Sequence, residues 1–152
     1  MAVTRADAVV DALVAALSAD ATLTGLVIDG PPVTQDELVD VVTVGYGWDA
    51  DDDTAIEIEQ EYHELGPAAK RDERVEVRCA AASFRGDADI AAARSRCVVL
   101  LGAVESVLRA SPSLGLSEVL RTEVGFGSIR QSQTAQGAEV ICTFTVTAHS
   151  LI

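Results

Sequence analysis

Apolar positions in this 152-residue chain fall into runs of two periods, and the periods name the elements. From Glu73 the chain alternates: Val75, Val77, Cys79 and Ala81 point one way, and Arg74, Glu76 and Arg78 the other. A period of two with one apolar face predicts a strand in a sheet that is wetted on one side and covered on the other. Arg85, Gly86 and Asp87 then predict a turn. Asp87 or Asp89 is placed to cap a helix, since a short carboxylate accepts from the free N–H groups of a first turn. Ile90, Ala93, Cys97, Leu101, Val104 and Leu108 recur every three or four positions, one face of a long helix. Ser111-Pro112 and Gly115 end it.

The remaining elements fall around this strand–turn–helix unit. Thr4 to Ser18 predicts a first helix with Val9, Val10, Leu13, Val14 and Leu17 as its apolar stripe and Thr4–Asp7 as a capping-box match. Leu26 to Ile28 allows a brief strand, broken by Asp29-Gly30-Pro31-Pro32. Asp40 to Val44 is almost continuously apolar, which suggests a strand covered on both faces. Thr54 to Glu64 alternates Ile56, Ile58 and Tyr62 against Glu57, Glu59 and Glu61, and should pair antiparallel with the strand from Glu73. Arg74 and Arg78 would then stand near those glutamates. Leu65 to Asp72 forms the connecting turn. Glu118 to Val124 and Ser128 to Ser132 read as one strand bent at Gly125-Phe126-Gly127. Gln133 to Gly137 is a hairpin loop. Ala138 to Leu151 is the last strand, with Val140, Cys142, Phe144, Val146 and Ala148 on one face. The expected fold is α+β: one domain spanning 1–152, a mainly antiparallel sheet with two helices on one face, in the order α-β-β-β-α-β-β.

Composition narrows the function classes. Apolar residues make up 49% of the chain and aromatics 4%, so the core is built from Val, Leu, Ile and Ala. The net charge of −13 repels phosphates and anionic lipid, which argues against tight nucleic-acid binding. Three cysteines, each inside an apolar pattern, read as buried thiols. No secretion signal and no membrane-spanning apolar run is visible, so a soluble cytosolic product is expected.

Candidate chemistry is sparse. Asp49-Ala50-Asp51-Asp52-Asp53 opens like a calcium loop, but Thr54 stands where glycine is needed and Gln60 where a bidentate glutamate belongs. Gly45-x-Gly47-x-x-Ala50 matches a dinucleotide fingerprint formally, yet aspartates rather than a helix follow it. Cys79, Cys97, Cys142, His63 and His149 lie far apart with no metal-ligand spacing. No nucleophile elbow is present. Neither an enzyme nor a cofactor is expected.

The order of elements, with E-x-V-x-V-x-C at Glu73 to Cys79, the G-D-x-D-x-x-A-A-R turn at Gly86 to Arg94, and S-P-S-L-G at Ser111 to Gly115, resembles the tail terminator proteins of long-tailed bacteriophages, especially those of actinobacteria. The resemblance implies a structural virion protein, assembled in the host cytoplasm, that forms a hexameric ring at the head-proximal end of the tail tube. Such a ring ends tube polymerisation and provides the head-joining surface. Its implied partners are further copies of itself, the tail tube protein and a head–tail connector, with double-stranded DNA crossing an acidic pore without tight binding and no membrane involved. Asp49, Asp51, Asp52, Asp53, Glu57, Glu59 and Glu61 are the pore-lining candidates. Trp48, Pro31, Pro32, Gln133 and Gln136 are candidates for contacts with neighbouring subunits or the tube, although Trp48 could equally pack on its own sheet. Two other readings stay open: another neck component of the same particle, and a small acidic binding protein such as a DNA mimic or regulator.

Overall fold

The computed structural model describes residues 3–33, 39–63, 66 and 69–152. Of the expected strand end and the turn after it, Glu64, Leu65, Pro67 and Ala68 lie outside the described residues. Among the described residues, two helices, α1 (Ala6–Ser18) and α2 (Ile90–Ala110), and six strands, β1 (Val27–Asp29), β2 (Asp40–Val44), β3 (Ile56–Tyr62), β4 (Arg71–Arg85), β5 (Val119–Thr134) and β6 (Gly137–Leu151), make an α+β fold. The brief run after α1 is a true strand, so four strands rather than three precede α2. Three residues suffice there because β1 pairs parallel with the buried β2, Val27 opposite Val42.

The sheet runs β1-β2-β4-β6-β5, and β3 continues the β2 edge of β4. β4 is long enough for both: β2 pairs with Cys79–Ser83 and β3 with Arg71–Val77, each antiparallel. Along its other edge β4 pairs with β6, and β6 pairs with β5 in a long hairpin closed by Ala135 and Gln136. The bend expected at Gly125–Gly127 is a register shift between Phe126 and Ile129.

Both helices cover the same face. Val9, Leu13 and Leu17 of α1 and Leu100, Val104 and Leu108 of α2 share one core with Val42, Val44, Val75, Val77, Phe144 and Val146. Leu100 takes the fully buried place expected of Leu101, which lies at the flank. Asp89 caps α2, accepting from the Ala92 amide at 3.0 Å. The capping box of α1 does not form. Its N-terminal amide at Arg5 instead donates to the buried Glu73 carboxylate at 2.7 Å. Asp40 ties the layers together, accepting from the Ser83 hydroxyl at 2.7 Å and the Arg96 guanidinium at 3.0 Å.

The opposite face is wet over only part of its area. Arg74, Glu76 and Arg78 point outward as expected, but Ala80 and Ala82 farther along the same row are fully buried with Val41 and Ile141. The three cysteines are buried free thiols. Burial pushes those of Cys79 and Cys97 up to about 12. No helix among the described residues is long and apolar enough to cross a membrane.

Candidate assembly surfaces

The acidic loop is held on the second sheet face by a small aromatic cluster. Gly45, at φ +80, turns the chain out of β2, and its N–H donates to the Arg78 carbonyl at 2.7 Å. The Trp48 ring lies 5.2 Å from Tyr46 and 5.8 Å from Phe84, packed over Val41, Ala80 and Ala82. Its indole N–H donates to Thr43 Oγ1 at 3.2 Å. Arg130, reaching over from β5, donates to the carbonyls of Gly47 and Trp48 at 3.2 and 2.8 Å. Of the two placements open to Trp48, the structure takes the one on its own sheet. That packing is what buries the alanine half of the face.

From this anchor the loop carries its aspartates along the wet half of the face. Asp52 accepts from the Thr54 amide at 3.0 Å and forms an ion pair with Arg78. Asp49 accepts from the Asp51 amide at 3.0 Å, and Asp51 and Asp53 are exposed. Glu57, Glu59 and Glu61 are exposed along β3, opposite Glu76, Arg74 and Asp72 of β4. Arg78 reaches Glu57 at 3.4 Å and Arg74 reaches Glu59 at 3.7 Å. Asp49, Asp52, Glu57, Glu76, Arg78 and Arg130 line one cleft. The pore-lining candidates are thus brought to one side of the molecule. Arg78 reaches two of them, Asp52 and Glu57, and Arg74 reaches Glu59 and the neighbouring Glu76.

The hydrogen bonds from Thr54, with the Arg78 guanidinium adding to them, bring the Asp52 carboxyl down to about 2. An unfolded aspartate titrates near ~4. Because the folded value is the lower one, the loop-to-β4 tie is fully present above pH ~4 and is lost only as pH falls through about 2. Titration of the Asp52 carboxyl carbon by NMR is expected to give a midpoint about 2, moving toward ~4 in Arg78→Ala. A wild-type midpoint near ~4 contradicts the tie.

No protein-family model matches the sequence, and no curated protein does. The fold does have solved counterparts. It is similar to that of a chain in a structure described as "Virion of native gene transfer agent (GTA) particle", with a TM-score of 0.54. The superposition covers 98% of this chain and 100% of that one at 12% sequence identity, so it is the fold that the two share.

The other candidates are dispersed. Pro31 is exposed and Pro32 half-buried just after β1. Gln133 donates back to the Ala88 carbonyl at 3.2 Å, and Gln136 stands exposed in the hairpin turn. Sequence reasoning missed a different surface. Ile58 and Tyr62 on β3, Phe126 and Ile129 on β5, and Val98 and Val99 on α2 are all about half exposed. Ile58 and Tyr62 read as one apolar strand face, whereas Phe126 fell in an expected bend and Val98 and Val99 off the helix stripe. Only the sheet order shows that β3 and β5 are edges, with too little helix above them.

Proposed function

We propose that this chain is a non-enzymatic structural protein of a phage-like particle. In this reading it forms a hexameric ring at the head-proximal end of the tail tube, where it stops tube growth and receives the head. The observation that carries the reading is the full-length likeness of fold to a chain of a gene transfer agent virion. The tail-terminator pattern of the sequence supports it independently.

The chemistry suits that task. The carboxylates of Asp49, Asp51, Asp52, Asp53, Glu57, Glu59 and Glu61 stand on one side of the subunit, away from the helices. Lining a pore, they repel DNA phosphates and let the genome pass without adhering. A ring is built from heterologous contacts, one patch meeting a different patch on the next copy. Pro31, Pro32, Gln133, Gln136 and the accessible edge of Trp48 are candidates for contacts with neighbours, the tail tube protein or the connector.

Electron micrographs of particles made without the chain test the proposal. The expected result is headless tails of abnormal length. Tails of native length that lack heads assign the chain instead to another component of the neck.

A further inference from the structure

Resting on the ring reading, the geometry points to how one copy meets the next: we infer that β3 of one subunit pairs along β5 of its neighbour, joining the two sheets. Both strands are edges. The sheet ends at β5 on one side and at β3 and β1 on the other. Among the described residues, no backbone hydrogen bond joins the outer edge of β3 or β5 to another segment. β5 is sixteen residues long, of which only Val119 is buried, and neither edge carries a lysine or a proline. β5 carries a register shift between Phe126 and Ile129 and charges on one face, but an edge so long and so exposed remains a template for another strand.

The two edges match on both faces. Residues directly opposite one another share a face of the sheet, so the registers assign each side chain. On the helix side, β5 presents Val124, Phe126 and Ile129, opposite Val146, Phe144 and Cys142. β3 presents Ile58 and Tyr62 on that side, opposite Val75 and Arg71. Ile58 and Tyr62 are 48% and 60% exposed, and Phe126 and Ile129 54% and 51%. Phe126 and Ile129 also form one wall of an apolar groove whose other wall is Val98, Leu101 and Gly102 of α2. α2 stops short of covering β5, and the groove is the uncovered strip. On the other side, β3 presents Glu57, Glu59 and Glu61. β5 presents Arg121, paired within its own strand with Glu123 at 3.0 Å, and Arg130, whose guanidinium also donates to the Gly47 and Trp48 carbonyls. Apolar thus meets apolar, and a row of three glutamates meets a face with two arginines and one glutamate.

Strand direction agrees. β5 runs with β4 and against β3, by the antiparallel pairings that link them. Rotation about an axis along the strands leaves every direction unchanged and sets β3 of the next copy antiparallel beside β5. That operation is the head-to-tail repeat of a ring. Pairing β3 with β3 would oppose glutamate to glutamate, and pairing β5 with β5 would oppose arginine to arginine, so the two-fold alternatives are disfavoured.

Two substitutions, Ile58→Asp and Phe126→Asp, test the pairing in the full chain. Each sits at a half-exposed edge position, and circular dichroism checks that each variant folds. Native mass spectrometry and sedimentation velocity read the assemblies. Wild type is expected to self-associate at high concentration, and each variant alone to lose self-association by ~100-fold or more. Mixing the two leaves one sound junction, β3 of the Phe126→Asp copy against β5 of the Ile58→Asp copy. The mixture is therefore expected to form a 1:1 heterodimer and nothing larger, which also shows both variants to be folded.

Three results overturn the inference. Wild-type association retained by both variants excludes this interface and leaves the ring reading untouched; loss of tube binding in those variants would then give the edges to the tube protein. An effect of Phe126→Asp alone, with no rescue on mixing, indicates a two-fold β5 contact. A wild type that stays monomeric at every concentration denies self-pairing of the free chain, and tail morphology then judges the ring reading separately.

Discussion

Replacing Gly137 by alanine is expected to lower stability by roughly 3 kcal/mol or more. Gly137 opens β6 at φ +126, a region that L side chains rarely adopt. A Cβ there would lie 2.0 Å from the Arg85 carbonyl oxygen and 2.8 Å from Gly86 Cα. Both are backbone atoms where β4 turns toward α2, so no rotamer relieves the clash. The β5–β6 hairpin must lift away, or the end of β4 must move. For a domain of this length the loss corresponds to a fall in melting temperature of about 10 °C. Gly125→Ala is the control, since φ there is ordinary and nothing lies within 4 Å of the added carbon. Its effect should stay within about 0.5 kcal/mol. Denaturant melts of the two variants check the contrast, and equal stability of both contradicts the close approach.

The second large effect is expected at Glu73. This carboxylate is 2% exposed, in the inward-facing row of β4 that also holds the buried Arg71 and Ser83. It accepts from the Arg5 amide at 2.7 Å and from the Gln60 side-chain amide at 2.5 Å. It therefore stands under the N-terminus of α1, where the helix dipole favours negative charge. Glu73→Ala leaves two donors without their acceptor and is expected to cost about 2–4 kcal/mol. Faster hydrogen exchange at the first turn of α1 should accompany the loss. Glu73→Gln keeps the shape and one acceptor oxygen, and should cost about half as much. A Glu73→Ala loss below ~0.5 kcal/mol would mean that α1 is fixed by its apolar stripe alone.

Glu73 also shows where sequence reasoning reaches its limit. The strands β4 and β6 were legible because each has one apolar row against one polar row, a local pattern that the fold obeys. The acceptor for α1 was not, because it comes from a residue 68 positions away. The local signal, Thr4 and Asp7, pointed to a cap that does not form. The second sheet face was misread for a similar reason. Arg74, Glu76 and Arg78 announce water, whereas Ala80 and Ala82 are small enough to suit either environment. What buries them is Trp48, whose packing on its own sheet was one of two placements the sequence left open, in a loop whose glycines and aspartates suggested exposure.

The candidate surfaces divide the same way. The carboxylates of the loop and of β3 were legible from their density, and the structure gathers them on one side. The apolar edges were not. Ile58 has the spacing of a core residue and Phe126 stood in an expected bend, and periodicity carries no information about which strand ends a sheet. Only pairing partners decide that, and here they leave β3 and β5 outermost.

The most direct test of the ring at the tube end is the length distribution of tails assembled in cells that lack this chain. The account predicts a broad distribution extending past the native length, with no heads attached, and a return to one length with joined heads when the chain is supplied. Tails of native length carrying heads in its absence would contradict it.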